Sequence, residues 1–444
     1  MHALRLAAGL VCAATASALA TPSPFVHLPA VETATLDNGL QLAVVHVDGP
    51  PIVTVQLWYH VGSKDDPQGR RGLARLFELL MFQGSANVRP GGHAELVGAL
   101  GGFIAAKVDE DASHFGETLP AVDLDTALRL EADRMRGLYL RDASIEPTRK
   151  LAAEQARNDA NAPIAHGMQH LLSIAFPHAG YAWEPAGVPT DLEAVTTDDV
   201  RKLYDAYYQP NNALLVVVGK TSLDDVKTAA ARAFATIPRG PAITHGDPEP
   251  DQQGSRREVI EAGPVGLVLY GFHIPAASSP DFYAVQLTAM LLGVGDDSRL
   301  KARLRARDPK TKEPLAVDGG IDLHVHEQPG LLVLVGAFRD ASHGKPVEDA
   351  MADEVKRLAS EGPSDSELHR VKRQVESGYV FSLERGDGLA ETIGRAWVTT
   401  GDARGWIHDA DRFEQVTGAD IMKAAKKYLS ADRATVVVVP PKGP

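Results

Sequence analysis

The feature that most constrains this chain is an internal repeat of fixed spacing. Thr196, Asp199, Val200, Tyr207, Ala213 and Val216-Val217-Val218 recur as Thr417, Asp420, Ile421, Tyr428, Ala434 and Val437-Val438-Val439, each pair 221 residues apart. At both places a threonine able to cap a helix precedes a helical stretch with an inward tyrosine, a polar turn, and a β-branched run too apolar for a half-exposed strand. One such pair could arise by chance. A constant offset over eight positions argues for two homologous α+β domains, each expected to pack a mostly antiparallel sheet with helices.

The chain of 444 residues is long enough for two cores. Pro238, Gly240, Pro241, Pro248 and Pro250 sit among polar residues, which places a linker at 237–255. The first domain then spans 21–236 and the second 256–444. In the first, strands are expected around the Asp37-Asn38-Gly39 turn, at Ile52 to Tyr59, Phe103 to Val108 and Ala112 to Glu117, with helices over Leu73 to Leu80, His93 to Leu100 and Val122 to Tyr139.

Residues 1–20 read as a secretory signal: one basic residue, Arg5, then an apolar run from Leu6 to Leu19, then Ala18-Leu19-Ala20 before the cut. The run is too short for a permanent membrane helix, so no stable membrane insertion is expected. Cys12 is the only cysteine and leaves with the signal. The mature chain has neither disulfide nor thiolate chemistry, and is expected in the periplasm or outside the cell. The formal charge is -13, and removing Arg5 adds one more negative unit. Such a surface repels phosphate backbones, which argues against a nucleic-acid partner.

The span Trp58-Tyr59-His60-Val61-Gly62-Ser63-Lys64-Asp65, followed by Gly72-Leu73-Ala74-Arg75-Leu76-Phe77-Glu78-Leu79-Leu80-Met81-Phe82-Gln83-Gly84-Ser85, resembles the signature region of the insulinase/pitrilysin metallopeptidases. That family includes the mitochondrial processing peptidases. The resemblance continues through Gly101-Gly102, Phe115-Gly116-Glu117-Thr118-Leu119-Pro120 and Glu131-Ala132-Asp133-Arg134-Met135. It implies two domains enclosing a cleft or chamber, a zinc ion, and extended peptides as substrate.

An active member carries His-x-x-Glu-His: two imidazoles one helical turn apart hold zinc, and the glutamate activates water. The matching positions here are Arg75, Glu78 and Leu79, and the resemblance places the third ligand at Glu154. Both histidines are gone. Arginine has no lone pair to offer and leucine no donor atom. Without the resemblance, Arg75 and Glu78 read as a helical ion pair, Leu79 as core and Glu154 as a solvated side chain.

The peptide-binding positions have also drifted. Ala105 stands where active relatives commonly keep an asparagine, and a substrate-contacting arginine and tyrosine correspond to Arg305 and Val317. A metal site rebuilt from His93, His114, Asp109 and Asp111 would need them to converge. His60 reads as packing, and Asp322, His324 and His326 line the polar face of a half-buried strand, a carboxylate and two imidazoles that could in principle bind a metal but are explained more simply as its solvent face. The expected function is a catalytically inactive subunit that joins an active homologue and helps form its peptide chamber, with no cofactor. The alternatives are an active zinc endopeptidase with a rebuilt site, or a free-standing periplasmic peptide-binding protein.

Overall fold

The computed structural model describes residues 28–307 and 312–442. The proposed signal segment 1–20 and Cys12 lie outside them. Six strands form the first sheet: β1 (Glu32–Thr35), β2 (Gln41–His46), β3 (Ile52–Tyr59), β4 (Phe103–Val108), β5 (Ser113–Pro120) and β6 (Ala213–Gly219). Five form the second: β7 (Arg256–Val259), β8 (Gly266–Ile274), β9 (Asp318–His324), β10 (Gly330–Phe338) and β11 (Thr435–Val439). The orders are β1-β2-β6-β3-β5-β4 and β7-β11-β8-β10-β9.

Without β1, the two orders are the same. Each sheet has one parallel pair, β2 with β6 and β7 with β11, and is antiparallel elsewhere. The helices Thr197–Tyr207 and Gly418–Tyr428 precede the equivalent strands β6 and β11. Their caps match: the Thr196 and Thr417 hydroxyls accept the Asp199 and Asp420 backbone N–H groups at 3.2 Å, and each aspartate accepts the threonine N–H at 2.9 Å. Two structurally similar α/β halves therefore underlie the repeat. Tyr207 and Tyr428 are half-buried at the helix ends rather than fully inward, and Leu203 and Ile421 supply the packing.

The strands are apolar on both sides because both faces are covered. On one face of the first sheet, Leu42, Val44, Val55, Leu57, Leu215 and Val217 pack under helices of the same half. On the other, Ala43, Val45, Trp58, Leu214, Val216 and Val218 meet Leu389, Ile393 and Trp397 of the Gly386–Thr400 helix, which belongs to the second half. The exchange is reciprocal. The Ala165–Ala175 helix of the first half lays Met168, Leu171 and Leu172 on Leu267, Leu269, Leu331, Val333 and Val437 of the second sheet.

Both exchanged helices carry a glycine at the crossing. A Cβ on Gly394 would lie 2.0 Å from the Trp58 ring, and one on Gly167 would lie 2.9 Å from Leu269. The halves are interlocked through hydrophobic cores, not merely joined end to end. Residues 238–255 contain neither helix nor strand but are pinned down: the Glu249 carboxylate accepts the His178 and Ala179 N–H groups at 2.9 Å, and Gln252 is buried against Ala434 and Thr435.

Candidate functional site

The Leu73–Leu80 helix begins at Gly72, whose φ of 100° is a left-handed conformation that favours glycine. The buried Asp66 carboxylate accepts the Gly72 and Ala74 N–H groups at 2.6 and 2.7 Å, fixing the first turn. Leu73, Leu76, Phe77 and Leu80 enter the core, so Arg75, Glu78 and Leu79 share the other side. There Arg75 and Glu78 form an ion pair, with side chains 29% and 19% exposed. Leu79 is partly buried and packs against the first core.

The Asp142–Ala160 helix packs against this one and carries Glu154, which is exposed and makes no ion pair among the described residues. A closed pair of opposite charges occupies the helix face. Glu78, the position that the resemblance assigns to the water-activating base, is engaged by a permanent cation, and the side chains at 75 and 79 offer no donor nitrogen to a metal.

The three positions expected to contact peptide lie on separate elements. Ala105 lies in β4, the edge strand of its sheet. Arg305 ends the Arg299–Arg305 helix, exposed and paired with Asp296 at 3.2 Å. Val317 is 48% exposed just before β9, its N–H bonded to the Ala337 carbonyl at 2.7 Å. No described contact links either residue to Glu78.

Among the described residues, the four considered for a rebuilt site do not gather their ligand-capable atoms into one cluster. His114 stacks on Trp58 at 4.1 Å, and burial pushes its imidazole down to about 4. Asp109 pairs with Arg395 at 3.1 Å. His93 faces Glu117 at 3.6 Å, within a buried cluster that also holds Glu131 and Arg134. Burial, reinforced by Arg134, pushes His93 down to about 3. One guanidinium cannot balance two buried carboxylates, and burial accordingly raises both Glu117 and Glu131.

Asp111 joins a network between the halves. Lys64, only 4% exposed, lies 3.3 Å from Asp65, 3.7 Å from Asp111 and 3.3 Å from Glu327. Burial works against its charge, but these three carboxylates prevail and raise it. His60 also bonds Glu327, His245 bonds Asp65 at 2.8 Å, and the Tyr181 hydroxyl donates to Asp111 at 2.6 Å. His60 is thus part of an ionic junction.

The expectation of solvent-facing side chains holds for Asp322, whose side chain is 52% exposed, but needs correction for His324 and His326. β9 ends at His324, and the chain then turns His326 into the junction, 3% exposed and stacked on Tyr181 at 4.1 Å. Glu110 comes from the first half, and its ligand-capable atom and those of His324 and His326 all lie within 4.8 Å of one another. Glu110, Lys64 and Glu327 carry no distinguishing signal in sequence.

Two family models match the chain: insulinase (peptidase family M16) over residues 42–185, and peptidase M16 inactive domain over residues 194–375. The chain belongs to the M16/insulinase peptidase superfamily. Zinc protease PqqE of Helicobacter pylori is 25% identical over 94% of both chains. The mitochondrial-processing peptidase subunit beta of Blastocladiella emersonii is 21% identical, covering 96% of this chain and 92% of its own. A crystal structure of a protease from Helicobacter pylori superposes with a TM-score of 0.86 at 25% identity, covering 93% of this chain and all of that one. The insulinase-family fold thus extends across both interlocked halves.

Proposed function

We propose that this chain is a non-catalytic insulinase-family subunit that assembles with an active homologue and contributes a wall of its peptide chamber. The observation that carries the reading is the face of the Leu73–Leu80 helix. On it Arg75 is paired with Glu78, and Leu79 packs into the core at the positions of the family's metal-binding histidines. The family's remaining ligand corresponds to Glu154, which is solvated. A carboxylate beside an arginine cannot replace two imidazoles.

The scaffold is retained around that degenerate site, as a subunit needed for shape and not for chemistry requires. β4 leaves one edge free for strand addition, the means by which an extended peptide binds a sheet without reference to most of its side chains. Ala105 lies on that strand. The apolar leader and the cysteine-free mature sequence support export to the periplasm, and no helix among the described residues is long and apolar enough to cross a membrane.

The test is purification of the native chain from cells that produce it. A stoichiometric family member with an intact His-x-x-Glu-His is the expected partner. A chain that stays monomeric in the presence of every co-produced homologue contradicts the reading.

A further inference from the structure

We propose that Glu110, His324 and His326 form a binding site for one divalent transition-metal ion, zinc being the best match, at the junction of the two halves. It is separate from the family's catalytic position and holds whether or not the chain is a silent subunit. Two imidazoles and a carboxylate are the donor set of many zinc centres, and their soft-to-borderline nitrogens favour zinc over calcium or magnesium. Ligand atoms within 4.8 Å of one another need only close to about 3.3 Å, the separation that tetrahedral bonds of roughly 2 Å impose.

A second cluster of the same residue types shows what distinguishes this one. His93, Glu117 and Glu131 are equally close together, but Arg134 already supplies their cation, bonding Glu131 and lying 4.0 Å from Glu117. Around His324 the charge comes from Asp322, Glu184 and Glu110. Among the described residues no lysine or arginine lies within 4.0 Å of any of these three carboxylates, and Lys64 is committed to Asp65, Asp111 and Glu327. Asp322 is half exposed and pairs with His324, whereas Glu110 and Glu184 are partly buried and lack a cation, which a metal ion would supply.

The imidazoles are held but not satisfied. Nε2 of His324 lies 3.4 Å from the Asp322 carboxylate and Nδ1 of His326 lies 3.8 Å from that of Asp111, and neither of these buried nitrogens completes a hydrogen bond. The His326 ring is clamped against Tyr181 at an interplanar angle of 8°. Its Nδ1 lies 3.8 Å from Asp111, whose carboxylate is oriented by the Tyr181 hydroxyl and the Glu327 N–H. At metal centres a supporting carboxylate usually holds the ring nitrogen that does not ligate, which assigns Nδ1 of His326 to Asp111 and leaves its Nε2 for the metal. Glu110 belongs to one half and both histidines to the other, so binding would fasten the junction.

The experiment uses the untagged mature chain, stripped of metal and titrated with zinc ion alone, with metal content measured after gel filtration. One zinc per chain is expected. His324→Gln and Glu110→Gln, shape-conserving changes, should each weaken binding at least tenfold, while Glu78→Gln and the exposed Glu154→Gln leave it unchanged. Thermal unfolding should shift upward with zinc in the wild type but not in His324→Gln. Absence of saturable one-to-one binding overturns the proposal. So does zinc binding that survives both junction substitutions or is lost on Glu78→Gln and Glu154→Gln.

Discussion

The Lys64 ammonium of the first half lies 3.3 Å from the Glu327 carboxylate of the second, both largely buried, and the same ammonium serves Asp65 and Asp111. Removing it would strand three carboxylates in a junction with little water. Lys64→Met is therefore expected to cost about 3–5 kcal/mol in urea-induced unfolding, the usual penalty for breaking one side of a buried ion pair. Arg75→Ala, at a more exposed helical pair, should cost about 0.5 kcal/mol. Equal effects of the two would show that the junction is not a buried electrostatic centre.

The junction should also be sensitive to acid. Burial favours the neutral form of Glu327, but the His60 bond and Lys64 outweigh it and bring the carboxyl from its ordinary 4.5 down to about 2. A group depressed in the folded state binds fewer protons there than in the unfolded chain over that interval. Its stabilisation is thus complete above pH 4.5 and is lost as pH falls toward 2. Urea midpoints measured from pH 5 to pH 2.5 should fall more steeply in the wild type than in Glu327→Gln. Parallel curves would remove Glu327 from the account.

Interlocking of the halves rests on close helix–sheet approach. Gly394→Ala would press a methyl into the Trp58 ring, where a Cβ has only 2.0 Å. Overpacking of this kind is expected to cost about 1–3 kcal/mol. Gly378 lies in a helix with nothing within 4 Å of its Cβ position, so Gly378→Ala should be neutral or stabilising by up to about 1 kcal/mol. Thermal unfolding of the two variants side by side decides whether the crossing is tightly packed.

The repeat was legible because two copies keep one offset, and the matched caps at Thr196 and Thr417 show why: each sets the start of a helix that feeds an equivalent strand. The exchange of the Ala165–Ala175 and Gly386–Thr400 helices was not legible. Periodicity shows that a helix has an apolar face, not which sheet will cover it. His324 and His326 stood out as donors, but alternation alone assigned them to solvent. Their burial depends on Tyr181, Asp111 and Glu110, far away in sequence and brought there only by the docking of the halves.

Restoring the family's metal position should require two substitutions. Arg75→His with Leu79→His places imidazoles at i and i+4 on one helix face, whereas either change alone supplies one nitrogen. Metal analysis should find one zinc more in the double variant than in the wild type, and no gain in either single variant. A gain with Arg75→His alone would mean that another donor already faces the site.

Peptide hydrolysis by the purified chain with zinc supplied, compared with Glu78→Gln, tests the central claim most directly. Glu78 holds the position of the family's water-activating base but is paired with Arg75. The account predicts no turnover by the wild type above the level of the variant, under conditions in which an active family member cleaves the same extended peptides. Turnover by the wild type that Glu78→Gln abolishes would contradict it and make this chain a working peptidase.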